Sequence, residues 1–391
     1  MGSTGKTNLY NLTKDELAAF VKEVGQPAYR ATQLWTWMYK KLAGDFASMT
    51  NLPKVFRAAL EERARLGGMQ PVAAIASSDG HTRKWLLEMP DRERIEAVLM
   101  EYDVRDTACI SVQVGCAYAC AFCATGRMGL VRNLAAGEIV EQIVRIEREL
   151  RAGGEPPAEG AGEDDHRLTN IVFMGMGEPL SNYREMTRAI RVRSDPDGLS
   201  IGARRMTLST VGLVPAIRRL ADEPFQVNLA VSLHAPTDDL RDELIPINRQ
   251  YPIATLMDAL REYFARTGRR LTFEYAMINE VNDRPEQAEL TARLLQSLNG
   301  PVHVNLIPLN PVPGSPWPGS ERARVQAFAE VLREHGIPAT VRMRRGIDVA
   351  AGCGQLYAAV EGRGRSIVPL PEYPTAERVF TAAAEERARL N

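Results

Sequence analysis

Three cysteines, Cys116, Cys120 and Cys123, fall within eight residues in the run Gly-Cys-Ala-Tyr-Ala-Cys-Ala-Phe-Cys. Thiolates select soft metals, so a C-x3-C-x2-C spacing can grip one face of an iron–sulfur cube or supply part of a zinc site. Structural zinc is almost always four-coordinate with every ligand from protein, commonly as two pairs, and the chain has no second C-x2-C pair. A cluster held by three thiolates keeps one iron open to a small molecule. The spacing therefore favours iron–sulfur over zinc and over inert buried thiols. Cys109 and Cys353 stand apart as singletons, and five cysteines in 391 residues are too few for a disulfide framework.

Two shorter motifs are mimics. Gly5-Lys6-Thr7 echoes a phosphate-binding loop but lacks the preceding glycine and strand, and Lys6 breaks the myristoylation pattern at the start of the chain. Gly175-Met176-Gly177-Glu178-Pro179 could be a plain glycine turn. Pro179 argues against a dinucleotide-binding G-x-G-x-x-G, which should open a helix carrying a third glycine.

The elements that must position these groups follow an α/β rhythm from Ala108 onward. Strand-like runs at Cys109 to Val114, Asn170 to Met174, Met206 to Ser209, Val227 to Leu233, Leu271 to Met277 and Val302 to Ile307 alternate with amphipathic stretches. The helical stretches include Ala136 to Leu150, Pro215 to Ala221, Ala254 to Thr267, Glu286 to Leu298 and Arg322 to His335. Repeated strand–helix units demand parallel strands, which predicts an α/β core in the form of a partial (βα)6 barrel, with active residues at the C-terminal strand ends. Residues 1–68 predict a small helical N-terminal domain, with Lys14 to Val24 and Tyr29 to Leu42 periodic. Residues 69–107 predict a strand-containing connector with strands at Lys84 to Met89 and Ile95 to Tyr102. The core is expected over 108–360, interrupted by a disordered acidic insertion at 152–165, with a C-terminal extension at 361–391.

Composition bounds the class. With 45% hydrophobic and 25% charged residues the chain is globular, not disordered or collagen-like. No apolar run approaches a membrane span and Met1 to Tyr10 holds no signal-peptide core, so a cytoplasmic protein with no membrane partner is expected. The net charge of -1 is uneven: residues 1 to 70 carry ten Lys/Arg against six Asp/Glu, which permits a polyanion partner. In the helix holding Trp35, Trp37 and Tyr39, the i and i+4 members read as core rather than as base-stacking residues.

The pattern C-x3-C-x-aromatic-C, with Phe122 as the aromatic, resembles the radical S-adenosylmethionine superfamily, whose open iron chelates that cofactor. Glu178 matches the superfamily's Gly-Glu-Pro element, which meets the methionine amino group. The segment Arg345 to Leu356, with Cys353 inside it, resembles the C-terminal signature of the methylcysteine-using radical methyltransferases of a 23S ribosomal RNA adenine. Gly25 to Ala31 and Met49 to Lys54 resemble that family's N-terminal domain, and the match runs from about residue 10 to 360. Gly352 stands where the family pattern has alanine, and the acidic insertion is longer than typical.

The resemblance implies one 4Fe-4S cluster on Cys116, Cys120 and Cys123, and two S-adenosylmethionine molecules per turnover. It implies cofactor contacts at Gly177, Glu178, Ser209, Ser232, Leu233, His234 and Asn310. Cys353 would carry the methyl group, Cys109 would resolve the protein–RNA adduct by pairing with Cys353, and Glu96 would accept the proton. The implied reaction is methylation of carbon 2 of an adenine in 23S ribosomal RNA, before or during ribosome assembly, and also in tRNA; the alternative is carbon 8 of the same rRNA adenine. A monomer served by an electron donor such as flavodoxin or ferredoxin is implied as well. Without the family, duller readings stand beside each residue: Ser209 as a cap or turn hydroxyl, His234 as a satisfied buried histidine, Asn310 as a turn residue and Glu96 as a solvated strand carboxylate.

Overall fold

The computed structural model describes residues 5–153, 167–310, 312, 315–342, 346 and 348–356. The predicted acidic insertion lies almost entirely outside the described residues, as do the C-terminal extension and Arg345. The chain divides into two compact units interleaved along the sequence. One is drawn from Met1–Val114, Arg132–Gly175 and Asn182–Met206, the other from Gly115–Val131, Met176–Ser181 and Thr207–Asn391.

The first unit opens with the predicted helices, at Lys14–Glu23, Tyr29–Tyr39 and Lys54–Arg63. Thr13 and Glu16 cap the first reciprocally, as a T-x-x-E box should. The second ends before the predicted Leu42, because Leu42 turns left-handed at φ 52° and Arg148 donates to its carbonyl at 2.7 Å. Trp35 and Tyr39 are buried core residues, whereas Lys41 sits over the half-buried Trp37 ring at 3.9 Å. Strands Gln70–Ala76, Thr82–Glu88, Arg94–Tyr102 and Arg105–Cys109 pair antiparallel in sequence, and Asn170–Phe173 adds in parallel beside the last.

The strand predicted over Cys109 to Val114 is corrected to Arg105–Cys109, with a separate short strand at Gln113–Gly115. Between them the Gln142 side chain takes both backbone groups of Ser111, at 2.8 and 3.0 Å, and so interrupts the ladder. A helix at Tyr183–Ser194 escapes the periodicity reading because its arginines mask a buried face that includes Met186, Ile190 and Val192.

In the second unit Met206–Thr210, Asn228–Ser232, Leu271–Met277, Val302–Pro308 and Ala339–Val341 run parallel in that spatial order. Crossover helices include Val214–Leu220, Ile253–Thr267, Pro285–Gln296 and Arg322–Glu334. Parallel strands joined this way end at one edge, so residues 211, 233, 278 and 309 all begin loops on that side. Among the described residues no helix is long and apolar enough to cross a membrane.

Candidate active site

The three-cysteine loop is shaped by its backbone. Gly115 is left-handed at φ 73°, and a Cβ there would lie 1.8 Å from the Gly129 carbonyl, so only glycine lets the Cys116 N–H reach that oxygen at 3.1 Å. Cys123 caps the short helix Ala124–Arg127, and its N–H donates to the Cys120 carbonyl at 3.1 Å. Cys120 and Phe122 pack with Leu240, Leu244, Ile278 and Leu309.

Burial pushes all three thiols up, Cys116 to about 12, and their mutual repulsion adds to this at Cys116 and Cys120. Backbone N–H groups of Tyr118 and Ala117 at Cys116, and of Gly126 and Thr125 at Cys123, pull the other way. Three converging sulfurs, two of them aimed at by N–H donors, fit the thiolate corners of a cationic cluster. Among the described residues no three metal-ligating side chains group as they would round a single ion. Thiolates on a cluster each take a different iron and need no such grouping.

The Glu178 charge adds to the upward push on Cys116 and Cys120. Glu178 is 3% exposed. Its Oε1 accepts from the Leu180 N–H and its Oε2 from the Val211 N–H, both at 2.9 Å, and Thr210 adds a hydroxyl donor. Burial outweighs these neutral donors and pushes the carboxyl up to about 7. An arriving ammonium would offset that penalty. Gly177, at φ 97°, turns the chain immediately before it.

Ser209 sits half-buried on Met206–Thr210, and Ser232 ends Asn228–Ser232. Leu233 is buried and its N–H donates to the Glu274 carbonyl at 3.1 Å. His234, left-handed at φ 59°, accepts from the Ala276 N–H at Nδ1 (2.8 Å) and meets the Phe122 ring edge-on at 4.7 Å. Burial and the Arg241 charge push it down to about 3, so it is neutral and braces Phe122. On its Nδ1 the dull reading of a satisfied buried histidine is the structural fact.

Cys353 is exposed on a turn fastened to the same short helix. The Ala124 N–H donates to the Gly354 carbonyl at 2.8 Å and the Thr125 hydroxyl to the Leu356 carbonyl at 2.6 Å. Asn310 donates from Nδ2 to the Cys353 carbonyl at 3.2 Å. A Cβ on Gly352 would lie 2.5 Å from that Nδ2 and 2.7 Å from Gln355 Oε1, the ends of two side chains that would have to shift to admit the alanine of the family pattern. Among the described residues Asn310 Oδ1 and Glu274 Oε2 are buried acceptors without a hydrogen-bond partner, so this unit offers acceptors to a ligand rich in donors. S-adenosylmethionine carries such donors in its ammonium, ribose and adenine groups.

Glu96 and Cys109 lie in the first unit. Glu96 is not the solvated carboxylate of the dull reading. It is 5% exposed, and Lys84 Nζ meets its Oε1 at 2.8 Å across neighbouring strands. Cys109 is a buried thiol that ends its strand, opposite Val98 and Val172. Lys84, Thr210 and Arg241 escaped the sequence reading. Only Thr210, next to Ser209, adjoined a predicted contact.

Parallel strand ends that gather three cluster-spaced cysteines, a buried Glu178 and an exposed Cys353 define a radical S-adenosylmethionine enzyme. The radical SAM superfamily model matches residues 110–293, and the model described as the ribosomal RNA large subunit methyltransferase N-terminal domain matches residues 7–66. A probable dual-specificity RNA methyltransferase RlmN from Roseiflexus castenholzii is 49% identical, covering 90% of this chain and 96% of the relative. The RlmN from Chloroflexus aurantiacus is 48% identical over 93% of this chain and 94% of its own length. The crystal structure of a radical SAM methyltransferase from Sphaerobacter thermophilus superposes with TM-score 0.85 and 51% identity, covering 90% of this chain and all of that one. The chain belongs to the RlmN family of radical S-adenosylmethionine RNA methyltransferases.

Proposed function

We propose that this enzyme methylates carbon 2 of an adenine in 23S ribosomal RNA and in tRNA, by way of a methyl group carried on Cys353. The dual specificity in its relatives' names supports the two RNA classes. The observation that carries the route is an exposed thiol, Cys353, fastened to the helix that Cys123 caps. Carbon 2 bears a non-acidic hydrogen on an electron-poor ring, so polar attack on a sulfonium methyl is not available to it. A 4Fe-4S cluster on Cys116, Cys120 and Cys123 would supply the electron that cleaves S-adenosylmethionine to a 5'-deoxyadenosyl radical.

Glu178 takes the cofactor's ammonium, and Gly177, Ser209, Ser232, Leu233, His234 and Asn310 line the rest of its site. The Cys353 thiol first accepts a methyl group from one S-adenosylmethionine. Its S-methyl would then yield a hydrogen atom to the radical made from the second, and the resulting carbon radical would bond to the base. Glu96 would accept the ring proton while the adduct's unpaired electron returns to the cluster. Attack of the Cys109 thiolate on the Cys353 sulfur would then break the bond from that sulfur to the methylene carbon, which takes up a proton as the product methyl while the two cysteines form a disulfide. The +4 balance over residues 1 to 70 supports phosphate binding by the N-terminal domain. An unpaired or flipped adenine is the form such a site can reach.

The test is anaerobic turnover with an rRNA fragment and with tRNA, followed by mass spectrometry of the nucleosides. The expected product from both is 2-methyladenosine. A product methylated at carbon 8 would overturn the position, and an unmethylated product the function.

A further inference from the structure

The helix Asp238–Leu244 carries a buried arginine that the reaction above does not use. Arg241 is 1% exposed. Its guanidinium donates to three carbonyls: from Nη2 to Val211 at 2.7 Å and Ser232 at 3.1 Å, and from Nε to Leu233 at 3.2 Å. Nη1 donates to Asn248 Oδ1 at 2.8 Å. The carbonyls sit at the ends of two neighbouring parallel strands, Met206–Thr210 and Asn228–Ser232. Val211 is also the residue whose N–H holds Glu178.

Among the described residues no carboxylate touches the guanidinium. Asp238 and Asp242 accept from Asn248 Nδ2, at 2.8 and 2.7 Å, and their charges act on the guanidinium from there. The same helix closes on the cysteine loop, where Leu244 accepts from the Ala121 N–H at 3.0 Å and Leu240 packs in the cluster of side chains around Cys120 and Phe122. The Arg241 charge and the Cys120 sulfur act on each other electrostatically.

We propose that Arg241 is a positioning residue for the cofactor site: it clamps two strand ends in the arrangement that binds S-adenosylmethionine, and it sets a buried positive charge on the helix that packs against the cysteine loop, which favours the reduced cluster. The inference rests on reading Cys116, Cys120 and Cys123 as cluster ligands. A fixed cation in a low-dielectric interior stabilises the state with one more electron, supplied here by a one-electron donor of the flavodoxin or ferredoxin class. A lysine keeps the charge but cannot fork to three carbonyls, so substitution separates the two effects.

The test compares the full-length, anaerobically reconstituted protein with Arg241→Lys and Arg241→Met. Iron content, midpoint potential from a redox titration followed by electron paramagnetic resonance, and S-adenosylmethionine affinity are read for each. Arg241→Lys should keep the wild-type potential and bind the cofactor about tenfold more weakly, the scale of losing hydrogen bonds to a charged group. Arg241→Met should show the weaker binding and a more negative potential. Wild-type potential and affinity in Arg241→Met would overturn the proposal. If that variant does not fold, unchanged affinity in Arg241→Lys overturns it instead. A wild-type chain that takes up no iron would be a separate result and would overturn the site reading together with the inference.

Discussion

Two buried carboxylates, one in each unit, are held in opposite ways. Glu178 receives two backbone N–H groups and a hydroxyl, all neutral, whereas Glu96 faces the Lys84 ammonium at 2.8 Å. A carboxylate kept by neutral donors bears most of its desolvation penalty, which is why Glu178 is pushed up to about 7. Such a group gains from any cation that arrives, and the cofactor's ammonium is one. A carboxylate with a resident lysine has its counter-ion built into the fold. The contrast separates a carboxylate held by neutral donors from one held by an ammonium.

The largest effect that would break this contrast is on stability. Lys84→Met removes the cation facing Glu96 and should cost about 3 kcal/mol, the scale of breaking a buried ion pair. Denaturant unfolding measures it, and adding Glu96→Gln to the variant should restore most of the loss. Restoration failing to occur would mean that Lys84 acts through packing instead.

Next in size, Glu178→Gln should weaken S-adenosylmethionine binding by about 2 kcal/mol, since the amide keeps the shape but not the charge. The pH dependence sharpens the point. A carboxyl whose folded pKa lies above its unfolded value contributes stability that is present below the unfolded value and lost as pH rises through about 7. The bound ammonium reverses this, so wild-type affinity should rise between about pH 6 and pH 8, and Glu178→Gln should be flat across that window. Equal slopes by calorimetry would assign the titration to another group. Smallest is Gly352→Ala, whose Cβ would meet the ends of two side chains, Asn310 and Gln355, both able to shift. It should slow methyl loading of Cys353 only a few-fold, by about 1 kcal/mol or less.

What the sequence made legible follows from how local each signal is. The three closely spaced cysteines, Glu178 and Cys353 stand in short motifs, and the structure brings all five into one unit. The strand–helix alternation is equally local, and the helices fall within a few residues of their predicted bounds. Lys84 and Arg241 were illegible because a charged residue in sequence reads as solvated. Only partners on other elements, Glu96 for one and the Val211 and Ser232 carbonyls for the other, make burial tolerable. The slip at Cys109 has the same origin, since Gln142 intervenes from 31 residues away. Strand Gln70–Ala76 was missed because it is exposed throughout and so shows no alternation.

The proposed function gives the two singleton cysteines different tasks: the buried strand thiol of Cys109 would resolve the adduct and Cys353, on an exposed turn, would carry the methyl. The most direct measurement is turnover of Cys109→Ala and Cys353→Ala with RNA, followed by denaturing electrophoresis. Cys109→Ala should accumulate a covalent protein–RNA species that survives denaturation, because the thiol that opens the adduct is gone. Cys353→Ala should form no such species and methylate no RNA. Methylated RNA from Cys353→Ala, with no adduct from Cys109→Ala, would contradict the assignment.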